Sequence, residues 1–276
     1  MARVEAARTR AAAASPLITA EFAWRAARWS SIILLIVVWE AYARSGEVTT
    51  FMLPPLSMVC ERIWEDAMSG DLLANLWETL YRALAGFAIA AVPGVLLGIL
   101  ITRLAPVRWF FDPVISVGFP MPKIAFIPII VLWFGFYDVS KITIVVFDAI
   151  FPIITATVAG TRGVDRHLVW SARNLGASER ELLREIVLPA ALPQILTGLQ
   201  VALPIALIVT IIAEMTTAGS GLGGEMLHAS RFVDSMGVFA ALVEIAIVGL
   251  LLIKGMAMIR ARLLHWHQEA RQAKTV

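Results

Sequence analysis

Six stretches of this chain are apolar over the length that a bilayer demands, and no other feature limits its fold so sharply. A helix needs about 20 mainly apolar residues to cross a hydrocarbon core. The stretches are Trp24–Ala43, Ala83–Ile101, Phe110–Phe134, Ile142–Gly160, Ala191–Ala213 and Met236–Met258. Apolar residues make up 59% of the chain, more than one soluble core would use. Charged residues are only 16%, and Arg and Lys gather at both ends and in short segments between the spans. The fold class that follows is an all-α polytopic membrane protein with six transmembrane helices. Proline interrupts several spans: Pro93 the second, Pro113, Pro120, Pro122 and Pro128 the third, Pro193 and Pro204 the fifth. Such breaks are tolerated where neighbouring helices or water satisfy the freed carbonyls. Gly86 and the Gly94-x-x-x-Gly98 pair allow another helix to approach the second span closely.

Positive charge sets the orientation of such a chain. With the N-terminus inside, the inner segments hold 16 Arg and Lys residues, against Arg44, Arg62, Lys141 and Arg231 in the outer loops. Both termini are therefore expected in the cytoplasm of a bacterial inner membrane. Residues 1–23 read as a cytoplasmic tail and 24–276 as one membrane domain. The stretch Met1–Ser30 is too long for a signal peptide, and no small-x-small cleavage site follows Val38. The basic residues flank apolar spans and form no aromatic-interleaved patch, so the partner they imply is lipid, not nucleic acid. Cys60 is the single cysteine, which excludes an internal disulfide and any CxxC metal motif. His265-Trp266-His267 reads as an interfacial cluster, and no metal site is expected. In the outer loop, Leu56, Val59, Ile63 and Trp64 space out a short amphipathic helix, Leu56–Met68. Ser69-Gly70-Asp71 stops it and starts the next.

The longest inner loop, 161–190, has its own architecture. Asp165 can cap a helix running through Val169 and Ala172 to Leu175, and Gly176 ends it. Ser178 with Glu181 forms a capping-box pattern for a second helix, Glu179 to Val187, with Leu182, Leu183 and Ile186 on one side. Pro189 follows. Two short helices joined this way make a rigid knob suited to taking force from a soluble partner.

Here the sequence resembles the permeases of binding-protein-dependent ABC importers. Their loop reads Glu-Ala-Ala, three residues, Gly, nine residues, Ile-x-Leu-Pro. In this chain Gly176 is followed by nine residues and then by Ile186, Val187, Leu188 and Pro189. Trp170-Ser171-Ala172 stands where Glu-Ala-Ala would be, so the family's Glu contact with the ATPase is missing. The segments Pro120–Ile142, Leu188–Leu203 and Ala213–Met226 are similar to the nitrate, taurine and aliphatic-sulfonate subfamily. The resemblance runs from about Leu53 to Met258. It implies a type I ABC importer permease fold and import of a small, anionic solute. It also implies a second permease copy, a pair of ATPase subunits that hold ATP and Mg²⁺, and a periplasmic substrate-binding protein. The ATPase-coupling residues it implies are Trp170, Ser171, Ala172, Arg173, Asn174, Leu175, Gly176, Ala177, Ser178, Glu179, Ile186, Leu188 and Pro189. No cofactor is expected in this chain. It has no GxxxxGK[ST] sequence, so it is not itself an enzyme. Gly219–Gly224 has the GxGxxG spelling but follows a span, not a strand, and reads as a flexible external turn.

Lys123, Asp148 and Glu244 fall inside spans, where an unpaired charge costs several kcal/mol. Either Lys123 meets an anionic solute in the pathway, or it pairs structurally with Asp148 or Glu244. Glu214 matches the family's Ala-Glu at the outer end of the fifth span, in a structural or a gating role. An ion-gradient-driven secondary transporter would also use broken helices such as the third span. That reading leaves the Gly176–Pro189 spacing unexplained and lacks a paired repeat. A scaffold or sensor subunit would carry a signalling domain, and none is visible. A non-anionic cargo such as a pyrimidine vitamin precursor stays open beside sulfonate, taurine and nitrate.

Overall fold

A computed structural model describes residues 30–266. The expected tail, residues 1–23, and His267 lie outside the described residues. The chain divides into two compact units, 1–62 and 63–276. In the first, α1 (Ser30–Ala43) begins at the first described residue, so the expected start at Trp24 is outside view. Its Ile32–Val38 run is exposed, as a lipid-facing surface would be. Beyond it the chain turns back and is held by side chains. Trp39 Nε1 donates to the Pro54 carbonyl at 3.0 Å, and Glu40 accepts from Arg44 Nε at 2.6 Å and Ser57 Oγ at 2.8 Å. Helix α2, Leu56–Ser69, starts in this unit and matches the expected amphipathic segment.

The second unit is built from α3 (Asp71–Arg103), α4 (Ala105–Gly118), a 3₁₀ turn (Lys123–Phe126) and α5 (Ile127–Phe134). After these come α6 (Asp138–Arg162), α7 (Arg166–Asn174), α8 (Glu179–Thr217), α9 (Leu222–Arg231) and α10 (Ser235–Leu263). Among the described residues, α3, α6, α8 and α10 are each long and apolar enough to cross a membrane, and α4 with Lys123–Phe134 makes a fifth span if the pair is one. That pair covers the proline-broken third span expected at Phe110–Phe134, and its halves meet at 93°. The bend falls at Pro120 and Pro122. Neither has an N–H to continue the helix, which ends at Phe119 although that residue itself keeps helical φ −63° and ψ −51°. Pro128 sits in the first turn of α5, where its missing N–H is harmless.

Helix α8 is the centre of this unit, with 56% of its apolar window buried against 28% for α3 and α10. Its Ala202, Ala206 and Val209 pack with Ala90 of α3 and with Ile144, Val145, Ala149 and Ile153 of α6. Small residues on α3 let α6 come close. A Cβ added to Gly86 would lie 2.5 Å from Val145 Cγ1, and one added to Gly98 would lie 2.6 Å from Thr157 Cβ. A second cluster, Ala83, Leu207, Ile211, Leu222 and Val248, ties α3 and α8 to α9 and α10. Outward-facing Val92, Leu96, Ile208, Leu250 and Leu251 are exposed, which suits lipid contact.

Candidate functional site

Three groups of residues stand out in the second unit. The first is the expected knob. Asp165 Oδ1 accepts from His167 N at 2.8 Å, which caps α7. Gly176 then takes φ +88°, a conformation that favours glycine, and the chain closes with two hydrogen bonds. Ala177 N donates to Ala172 O and Gly176 N to Arg173 O, both at 3.0 Å, the Schellman pattern. The Ser178–Glu181 capping box follows, with Ser178 N donating to Glu181 Oε2 at 2.7 Å. Arg173 reaches Glu179 at 2.8 Å, and Arg103 reaches the same carboxylate at 3.3 Å. Beneath, Ala172, Leu182 and Val187 form a small core with Val169, Leu183 and Ile186. Leu175, Trp170 and Leu168 are left exposed on the knob, and Trp170 packs edge-on to His167.

One expectation here is corrected. The second helix does not stop at Val187, and the fifth span does not begin at Ala191. Glu179–Thr217 is one helix of 39 residues. Leu182–Val187 is a π-helical turn just before the proline. An α-turn would press the Pro189 ring against the Glu185 carbonyl, and the wider turn relieves that contact.

The second group surrounds Lys123 at the bend. Its Nζ lies 3.1 Å from Asp148 Oδ1, donates to the Phe119 carbonyl at 3.0 Å, and sits 4.8 Å from the Phe151 ring centroid. Pro120 and Pro122 end the helix at Phe119, and the lysine takes up the carbonyl this frees. Glu244, buried on α10, takes no part in this pair.

The third group was mostly missed by sequence reasoning, which picked out Glu214 alone. Arg82 is 4% exposed on α3 and is the hub. Its Nη1 donates to Glu214 Oε1 at 2.7 Å and to the Ser220 carbonyl at 2.6 Å. Nε donates to Asp138 at 2.7 Å and Nη2 to Glu78 at 2.7 Å. Glu214 is fully buried and also accepts from Thr79 Oγ1 at 2.9 Å and Gly223 N at 3.1 Å. Leu222 N donates to Thr79 Oγ1 and Gly221 N to Asn75 Oδ1. Ser220 Oγ donates to Glu78. The Gly219–Gly224 turn, expected to be flexible, is instead clamped to α3 and leads into α9. Gly221 has φ +107°, and a Cβ there would run into the Glu214 carboxylate. Arg82 sits on the border between loop and span, where a count of loop charges does not reach it. A Glu78-Thr79-x-x-Arg82 run at the mouth of an apolar helix was the available signal.

Beside the clamp, a cavity of about 430 Å³ is lined by Asn75, Ser220, Glu225, His228 and Arg231. No group of three metal-ligating side chains occurs among the described residues.

Residues 94–264 match the family model described as binding-protein-dependent transport system inner membrane component. The chain is 33% identical over 244 residues to the taurine transport system permease protein TauC of Escherichia coli, covering 87% of this chain and 89% of that one. It is 31% identical to the putative aliphatic sulfonates transport permease protein SsuC of Bacillus subtilis, covering 84% of each. It is 30% identical to the riboflavin transport system permease protein RibX of Chloroflexus aurantiacus, covering 86% and 88%. Among solved structures, an inward-facing MetNI methionine ABC transporter chain superposes with a TM-score of 0.63 at 19% identity, over 72% of this chain and 98% of that one.

Proposed function

This chain belongs to the binding-protein-dependent transport inner-membrane family, as a permease subunit of an ABC importer with the type I permease fold, and from that premise we propose a small organic sulfonate as its cargo. The cargo reading rests on the likeness to permeases named for taurine and aliphatic sulfonates. The likeness to a riboflavin permease favours a second reading, a non-anionic heterocycle.

The working arrangement is inferred with it. Both termini and the 161–190 loop face the cytoplasm, as the positive-charge bias supports. The knob from Trp170 to Pro189 docks on a pair of partner ATPase subunits, where ATP and Mg²⁺ are bound. Its capped, glycine-terminated geometry and its exposed Leu175 and Trp170 support that role. A second copy of the permease completes the pathway, and a periplasmic binding protein delivers the cargo at the Glu214 end. The Lys123–Asp148 pair acts structurally, holding the bent span to α6; its short distance and the shared Phe119 carbonyl support this over solute contact.

The single observation that carries the docking role is the knob's direct continuation into α8. A helix of 39 residues is about 58 Å long at about 1.5 Å per residue, enough to carry a push through the membrane. The test is uptake by the full complex in proteoliposomes with its binding protein and ATP. Labelled taurine or an alkanesulfonate should accumulate inside, with riboflavin excluded. Accumulation of riboflavin without sulfonate would shift the reading to the second cargo class.

A further inference from the structure

An importer must open one face while the other is shut, so some contact at the Glu214 end has to break in every cycle. The Arg82 cluster has the makings of that contact. It joins four parts of the fold: α3 through Arg82 and Thr79, α6 through Asp138, α8 through Glu214, and the glycine turn through Ser220 and Gly223. Apolar packing would hold these helices together at least as well, because buried ion pairs offset little more than their own desolvation. A charged fastening differs from an apolar one in being able to exchange partners.

A second partner is already in place. Lys141, on α6, is 3% exposed and stands within the electrostatic reach of Asp138, Glu214 and Glu78, but no direct hydrogen bond or ion pair joins it to a described residue. Its Nζ rests against the glycine turn, so that a Cβ added to Gly219 would lie 2.6 Å from it. The same side chain lines a small gap between α5, α6 and α8, with Ala213 and Thr217 on its α8 wall. Glu214 lies between those two residues in sequence. A lysine held beside this carboxylate network without a direct bond in one state is free to take one in another. Asp138, on the same helix, needs no helix movement to approach Lys141; Glu214, on α8, does.

We propose that Arg82 and Glu214 form a latch which opens in each transport cycle, and that Lys141 receives the Glu214 carboxylate when it does. Helix α8 is the actuator. It carries the ATPase-docking knob at one end and Glu214 near the other, so ATPase closure displaces Glu214 relative to α3. The inference rests on the importer reading and on ATPase docking at the knob, but on no particular cargo.

The test uses the full complex in a Cys60→Ser background. Glu78→Cys and Ser220→Cys replace two touching residues at the rim of the latch and leave the Arg82–Glu214 bond intact. A short bis-thiosulfonate reagent then reports how long the latch stays shut. Trapping the ATPase with ATP and vanadate should slow cross-linking about tenfold, a usual size for allosteric coupling. The cross-linked complex should lose uptake and regain it on reduction. Adding Lys141→Met should leave assembly normal and shrink the effect of trapping, because the open state has lost its partner. A cross-linking rate indifferent to trapping overturns the latch, and a trapping effect unchanged by Lys141→Met overturns the exchange. Slowed cross-linking in a complex that imports no sulfonate refutes the cargo and supports the latch.

Discussion

The knob and the latch sit towards opposite ends of one helix, and they are built in opposite ways. The knob's capping bonds are short-range and wet. Asp165 to His167 spans two residues, and Ser178 to Glu181 spans three, all on exposed groups. The bonds at the centre of the latch are long-range and dry, with Glu78 and Asp138 at its half-exposed rim. Arg82 and Glu214 are 132 residues apart, and Thr79 and Leu222 are 143 apart. Local bonds fix the shape of a small projecting element cheaply and let it survive in water. Long-range bonds between buried charges fix how helices sit against each other, and they fail hard when one partner goes. The knob should therefore tolerate substitution without unfolding, and the latch should not.

The largest effect should come from Arg82→Met. It leaves the buried Glu214 carboxylate without its cation, a loss of about 3–5 kcal/mol for a pair of this kind. Thermal unfolding of the purified protein in detergent should show a large drop in Tm or no folded protein. Glu214→Gln should be milder, since the amide can still accept from Thr79 and Gly223. Equal stability of Arg82→Met and the parent would remove the contrast between the two regions.

Lys123 lies between the extremes, buried like the latch but bound to a helix only one element away. Lys123→Met should lower folded yield, by an amount of about 1–3 kcal/mol for an unsatisfied buried group. Lys123→Met with Asp148→Asn should recover much of it, because neighbours in contact do not add. A single variant that folds normally yet loses uptake would return Lys123 to the solute pathway.

What the sequence made legible follows the same division. The apolar runs marked the spans because lipid contact is written residue by residue. The caps at Asp165 and Ser178 and the break at Gly176 were readable because capping partners lie within three residues. The prolines located the bend between Pro120 and Pro122, though not its 93° angle, which depends on the packing of α5 and of Lys123 against α6. Pro189 misled, because the π-turn before it lets the helix run on through the proline. The Glu78-Thr79-x-x-Arg82 run could mark Arg82 but not its partners: nothing near it in sequence names Glu214 or Ser220, and only the folded packing of α3 against α8 brings them together.

Gly176→Val should produce a smaller effect of a different kind. Valine at φ +88° costs about 1–2 kcal/mol, and little else surrounds the site, with open space where the Cβ would go. The strain falls on the knob alone. Membrane insertion and Tm should stay close to the parent, while co-purification of the ATPase subunits falls.

The smallest effect should come from Ser178→Ala, and it is the finest test of whether the knob is a local device. The substitution removes a hydroxyl that accepts from Glu181 N at 3.4 Å and donates to Glu181 Oε2 at 2.7 Å. The backbone half of the capping box remains, since Ser178 N still donates to Glu181 Oε2. A lost serine cap costs about 1 kcal/mol, and less where a second bond persists. Global stability should barely move, because the first turn of α8 can fray without disturbing Ala202 or Val209 in its core. Hydrogen exchange should show the change instead. Amides from Glu179 to Leu182 should exchange several-fold faster, and those of the α3–α6–α8 core should exchange as before. Faster exchange at Glu214 or Gly223 in this variant would mean that fraying at the knob reaches the latch along α8. The two ends would then differ in chemistry and still act as one mechanical element.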